Sequence, residues 1–511
     1  MGSNSFDQQS QLNSTKPEAR QNRFDDPALN MLDLVGDFKG ASTGESVQVG
    51  ASTEAQSIGR DRLVPEVDLQ KILPDVWLVW KDALARNPDA APHSPDGTTL
   101  KKPAEPTPPE AEVGKVAKDG AGRTGFEPID NAVVQSLLNN LPAENLPPIA
   151  KKFEQYGMST LDAEEQAEKL RPQIYVSKTR KDTRIPEGAN IYGSIQEAVD
   201  KAPANSVINV MAGVYQERVA LKSGIVIKTD PTNPAVIDNS RRTTGRGSAP
   251  FSIGSNVHDV AIKNFEIRNF DGSDSAVLVK GQNIANITVA GNNIHSARAA
   301  EGIGVYGVGS VPISNVRIIS NRLHDLRLRG EIEAMPINGN VSDFQIIGNS
   351  GYKLSNLFID VINGEGHGTD GPRGGKIAYN FADRITTVGN PDYGGPSAAG
   401  IYSDAGRDLE IYGNYVRDSD FGIEVGSEHK RFNSSDVRVH GNIFESSGLA
   451  WLKLGYIGNV NNSVMNNNLV VGNSSIERGN VGANVVVKDN QNVAKRSQIV
   501  RLPAELMSVL N

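Results

Sequence analysis

The sequence predicts an all-β fold: a right-handed parallel β-helix with an N-terminal capping helix, preceded by a largely disordered, partly helical region. Three observations carry this. The phrase apolar-x-apolar-x-x-Asn-x-apolar recurs as ITVAGNNI, VRIISNRL, LEIYGNYV and VRVHGNIF. Its asparagines, Asn292, Asn321, Asn349, Asn380, Asn414, Asn442 and Asn467, stand 25 to 34 residues apart, too close for a propeller blade. The chain also holds 51 glycines in 511 residues and is only 38% hydrophobic, which suits a turn-rich β protein. Short strands at this period can stack coil on coil, with each corner asparagine bonding to its copies above and below. A leucine-rich solenoid is the rival architecture, but its consensus is absent.

The elements follow in order. Residues 1–125 read as a disordered, low-complexity region. Within it, Leu69, Ile72, Leu73 and Val76 suggest a short helical segment near 66–86, and a Pro-rich linker follows. Residues 126–175 read as a small helical segment, with Ile149, Phe153 and Tyr156 on one face and Gly157 placed to stop the helix. The β-helix domain spans 185–490. Ser194 and Glu197 open it as a capping box, with Ile195, Ala198, Val199 and Ala202 on the buried face. That helix plugs the first coil, an edge that would otherwise recruit other chains. Residues 491–511 form a C-terminal tail.

Composition narrows the function. A net charge of −8 makes nucleic acid an unsuitable partner, because phosphate binding needs a basic face. No apolar run is long enough for a membrane span. The absence of cysteine removes disulfides, thiolate metal sites and cysteine nucleophiles. It also suits a chain exported unfolded. The start lacks a Sec-type signal peptide, and Phe6 stands where myristoylation needs Ser or Thr. A secreted or cell-surface location is expected, reached by type III-like export through the N-terminal region, with the cytoplasm as the alternative.

In a strand the middle residue of an apolar-x-apolar triplet points away from the core. Ile359-Asp360-Val361, Ile401-Tyr402-Ser403, Ile423-Glu424-Val425 and Leu452-Lys453-Leu454 therefore predict an outward row of Asp360, Tyr402, Glu424 and Lys453, joined by Asp404. Asp360 and Glu424, two coils apart, should lie about 10 Å apart. The loops GEGHGTDGPRGG and SEHKR add His367, Arg373, Glu428, His429, Lys430 and Arg431. Two chemistries use such groups. In β-elimination on a uronic acid, Ca²⁺ held by Asp360, Asp404, Glu424 and Glu428, or Arg373 directly, neutralises the substrate carboxylate. Lys453, or a tyrosine or histidine, then removes the α-proton. In inverting glycoside hydrolysis, two of the carboxyl groups flank the bond. His367, Arg373, His429, Lys430 and Arg431 are expected to bind substrate.

SIQEAVDKAPANSVINVMAGVYQERVALKSG resembles the opening coil of pectin-active right-handed β-helix proteins. INGNVSDFQIIGN, LFIDVINGEGHG, DGPRGG, NPDYGG, AAGIYSDAGRDLEI and DFGIEVGSEH resemble a bacterial family of pectate-lyase-like parallel β-helix proteins, over about residues 185–475. The resemblance implies the fold more than a reaction. The QDTL and DFIFG motifs of pectin methylesterases, the vWiDH-like motif of calcium pectate lyases and the YGFDPHD of alginate epimerases are all missing. The layout is also similar to harpin–pectate lyase fusions exported by plant-associated bacteria. The expected function is binding and cleavage of an acidic, pectate-like polysaccharide, with elimination favoured over hydrolysis. A non-catalytic adhesive β-helix of a phage tail or cell surface, and an exported effector on a β-helix scaffold, are the alternatives.

Overall fold

The computed structural model describes residues 148–179, 182–240, 244–245, 249–271, 275–330, 332–366, 370–499 and 501–510. The expectations for residues 1–125, for the first part of the helical segment and for His367 lie outside the described residues.

Among the described residues the strands form three parallel sheets of 14, 11 and 11 strands. The chain visits the sheets in rotation, as in Ser434–His440, Ile443–Glu445 and Ala450–Leu454, and each strand pairs in register with its counterpart one coil on. This is a parallel β-helix. Branched aliphatic side chains fill the interior, which is continuous from Ile174 to Val470. Ile359, Ile401, Ile423 and Leu452 form one of its stacks. Such residues suit a pleated surface because their stiff side chains pack directly over one another.

The asparagine ladder runs through the corner between the first and second sheets. From Asn321 onward, each side-chain Oδ1 accepts the backbone N–H and the Nδ2 of the asparagine one coil earlier, as Asn380 does from Asn349 at 2.9 and 3.0 Å. The ladder continues through Asn442, Asn468 and Asn490 rather than Asn467. Asn467 has φ 54°, and the residue before every other ladder asparagine is also left-handed: Gly291, Ser320, Gly348, Tyr379, Gly413, Gly441 and Asp489. Asn467 is therefore the turn residue of its coil, and Asn468 is the one that points inward.

Helix α1 (Pro148–Ser159) and helix α2 (Asp162–Glu168) lie along the outside of the first two sheets. Ile149 and Phe153 bury against Ile347, Tyr379 and Phe381. Three glutamates fasten this arm. Glu154 meets Arg322 at 2.9 Å, Glu164 meets Arg317 at 2.6 Å, and Glu168 meets Lys263 at 2.6 Å and Lys228 at 2.9 Å. Gly157 does not stop α1, which continues to Ser159. A Cβ at Gly157 would collide with Ser320, so the glycine is there for close approach.

Helix α3 (Ile195–Lys201) buries Ile195, Ala198 and Val199 over the first coil. Ser194 caps it through Glu197 N–H at 3.4 Å. The carboxylate that answers the N-terminal N–H groups is Glu217, which accepts from Ile195 and Gln196 at 3.1 Å and from Ser194 Oγ at 2.8 Å. Helix α4 (Ala504–Leu510) packs against α1, and Glu505 holds His440 Nδ1 at 3.0 Å.

Two predictions follow from these contacts. Asn380→Ala orphans the buried Asn349 N–H and Ile346 carbonyl and should cost about 2–4 kcal/mol. Asn490→Ala, at a half-buried rung where water can substitute, should cost under about 1 kcal/mol. Denaturant midpoints of the two variants measure the difference. The His440 imidazole is raised above its ordinary value, chiefly by its hydrogen bond to Glu505. A raised histidine stabilises the fold below its unfolded pKa, and that contribution is lost as pH rises through the folded value. Amide exchange in α4, corrected for intrinsic rate, should therefore accelerate between pH 6 and 8.5, and His440→Gln should abolish the trend.

Candidate functional site

Register on the third sheet brings the outward row together. Asp360 pairs with Tyr402, Tyr402 with Glu424, Glu424 with Lys453, and Lys453 with Glu477. Asp404 lies two residues beyond Tyr402 on the same face. With strands about 4.8 Å apart, the Cα atoms of Asp404 and Glu424 lie roughly 8 Å apart, and those of Asp360 and Glu424 about 10 Å apart.

Outward does not mean solvated here. Asp360 and Glu424 are each 3% exposed, Tyr402 and Asp404 2%, and Lys453 9%. Tyr402 packs with Leu357, Ala399, Phe421 and Ala450 in an apolar patch on the outer face. Burying a charge is costly unless it is paired, and these groups are held in an ordered chain. Lys453 Nζ lies 2.6 Å from Glu424 Oε1, and Tyr402 stands beside the same carboxyl on the neighbouring strand. The ammonium sits 5.1 Å from the Phe421 ring centroid and 4.5 Å from that of Tyr456. Burial pushes the Glu424 carboxyl above the usual carboxylate range; Lys453 and Tyr402 pull it down less strongly, and Glu477 adds to the rise.

The loops beside the row are tied to it. Asp404 Oδ1 accepts the Glu428 N–H at 2.8 Å, and Glu365 Oε1 meets His429 Nε2 at 3.0 Å. On the other flank, Asp420 pins the neck of loop 386–398. Its Oδ2 accepts the N–H groups of Thr387, Ser397 and Ala398 at 2.8 to 2.9 Å. Arg373 is not on the row. It heads a strand of the first sheet, where it meets Asn340 Oδ1 at 3.1 Å and Asp370 at 3.2 Å. Lys430 and Arg431 are exposed on loop 427–433.

The carboxylates proposed for calcium do not converge. Among the described residues no three histidine or carboxylate groups come close enough to hold a metal ion. Glu424 is instead engaged by Lys453, and Asp404 by a backbone N–H.

Several groups escaped the sequence reading. Glu301, 4% exposed, is held by Ser275 Oγ at 2.6 Å and by the Tyr306 hydroxyl, on the same face three coils before Tyr402. It shares the parity of the inward Ile303, so strand alternation gave no sign of its place on the outer face. Tyr456, 46% exposed beside Lys453, lies in a loop where no repeat marks it.

No protein-family profile matches the chain. A Bacillus subtilis (strain 168) protein described as "Uncharacterized protein YwoF" is 29% identical over 327 residues, 59% of this chain and 69% of that protein. The alginate lyase of Paenibacillus sp. str. FPU-7 is similar in structure with a TM-score of 0.43 and 14% identity, covering 56% of this chain and 95% of that one. The GH136 lacto-N-biosidase of Eubacterium ramulus has a TM-score of 0.46 and 13% identity, covering 64% and 69%. PfbA, a surface adhesin of Streptococcus pneumoniae, has a TM-score of 0.40 and 15% identity, covering 58% and 86%. These are likenesses of coil architecture.

The Glu424–Lys453 pair makes a stability prediction. A carboxyl raised in the folded state stabilises most at low pH, and that contribution is lost as pH rises through its folded value. Lys453→Met removes the compensating charge, so the variant should lose about 3–5 kcal/mol relative to wild type near neutral pH and much less near pH 4. Urea midpoints across that range test this, and the double variant with Glu424→Gln should be nearly flat.

Proposed function

We propose that the protein binds an acidic polysaccharide along the outer face of the third sheet and cleaves its glycosidic bonds by β-elimination. The observation that carries this reading is the in-register chain Tyr402–Glu424–Lys453, with a buried carboxyl of raised proton affinity at its centre. The ammonium of Lys453 meets the carboxylate of a uronate unit and makes its α-proton removable. Tyr402 passes its proton to Glu424 and takes the α-proton from the sugar. The C–H bond breaks, a C=C bond forms, and the bond to the leaving oxygen breaks as Glu424 protonates that oxygen. Tyrosine and carboxylate return to their starting states. The exposed ring of Tyr456 offers a surface for a sugar to stack on. No step is assigned to calcium, because the candidate ligands do not converge.

One observation favours a second reading, inverting hydrolysis. Asp404 lies diagonally from Glu424 on the neighbouring strand, so two carboxyl groups share the face as an acid and a base acting across an intervening water require. Incubation with pectate, alginate and glucuronan, following unsaturated-product absorbance and reducing ends separately, distinguishes the two. Absorbance with reducing ends is expected, and Glu424→Gln should lower the rate about 10²–10⁴-fold. Reducing ends without absorbance would replace elimination by hydrolysis. Glycan retention with no cleavage would leave an adhesive role.

A further inference from the structure

Around the corner from this face, where the third sheet passes into the first, Asn363, Asp370 and Gly371 on one side and loop 427–433 on the other border a polar groove of about 550 Å³. Two groups open to a ligand line it, one buried and one exposed. Asn363 is 6% exposed, and its Oδ1 has no hydrogen-bond partner among the described residues. Gly371 makes room for that amide, since a Cβ there would collide with Asn363 Nδ2. Arg431 is exposed and makes no ion pair or hydrogen bond among the described residues.

The rest of the groove restricts what can fill it. Arg407 heads a strand of the first sheet and pairs with Asp370, which also holds Arg373 at 3.2 Å. One carboxylate is thus shared between two guanidinium groups, and Asp436 is the other acid in the lining. A buried amide oxygen needs a donor such as a hydroxyl, and a guanidinium favours a planar anionic oxygen pair. A sugar ring bearing a carboxylate offers both within one residue. We infer that this groove is a binding subsite for a carboxylated sugar unit, separate from the cleavage face and independent of what happens there. A polyuronate chain is the polymer that supplies such units in series.

The test uses the full chain carrying Glu424→Gln, so that turnover does not consume the probe, and measures trigalacturonate and cellotriose binding by calorimetry. Arg431→Ala should weaken trigalacturonate at least about tenfold, the loss expected for one hydrogen bond to a charged group. Cellotriose binding should not change. Arg431→Glu should weaken trigalacturonate further, and Asn363→Asp should do so by adding a charge at the buried oxygen. The inference fails if Arg431→Ala binds trigalacturonate as tightly as its parent. It also fails if acetate at equal carboxylate concentration displaces the sugar, which would mark a simple anion site. Cleavage that persists with Glu424→Gln would sink the role given to Glu424 and leave the groove result standing.

Discussion

Everything in this structure depends on one constraint: each coil must sit in register on the last. The asparagine ladder enforces it. A left-handed residue turns the chain at the corner, and the next side chain bonds to its neighbours on both sides along the axis. A shift of one residue would point every core side chain outward. From Asn292 onward the ladder corner keeps two residues between strands, and length variation there falls in the two remaining turns. Those turns carry residues 363–366 and 370–372 and loops 386–398 and 427–433, which border the candidate face and the groove.

Register also explains how the face is built. An outward residue on one coil stands over the outward residue of the next, so Asp360, Tyr402, Glu424 and Lys453 become neighbours despite 93 residues of chain between first and last. Their burial makes the arrangement stiff. In a low-dielectric setting the Glu424–Lys453 pair and the neighbouring Tyr402 act strongly on one another, and the groups are oriented before any ligand arrives. The same logic holds on the opposite side, where Glu168 meets the fully buried Lys263 and locks α2 to the first sheet. Aliphatic stacking fills the interior, and buried charge pairs on the outside fix what lies against it.

The legible and illegible parts of the site divide along physical lines. The outward row was readable because strand alternation has period two and the repeat supplies the alignment. Asp404 followed by the same rule. Arg373 was misjudged in position because loop residues carry no period: it opens the next sheet instead of facing the row. Glu197 fitted a local capping pattern, but Glu217, 22 residues beyond Ile195 and brought close by the first coil, holds the α3 N-terminus. Asn467 fitted the asparagine spacing, and only the left-handed turn assigned the inward position to Asn468.

By itself the sequence determined the β-helix, its capping helix, the stacking period and the order of the outward row, because each arises from a local pattern repeated along the axis. The tertiary structure decided how deeply that row is buried, which partner each charge takes, and that Asn363 and Arg431 share a groove. Those outcomes depend on loops whose paths are set by distant contacts, such as Asp420 gathering the N–H groups of Thr387, Ser397 and Ala398. No periodicity encodes such a contact, since it forms only once the coils have stacked.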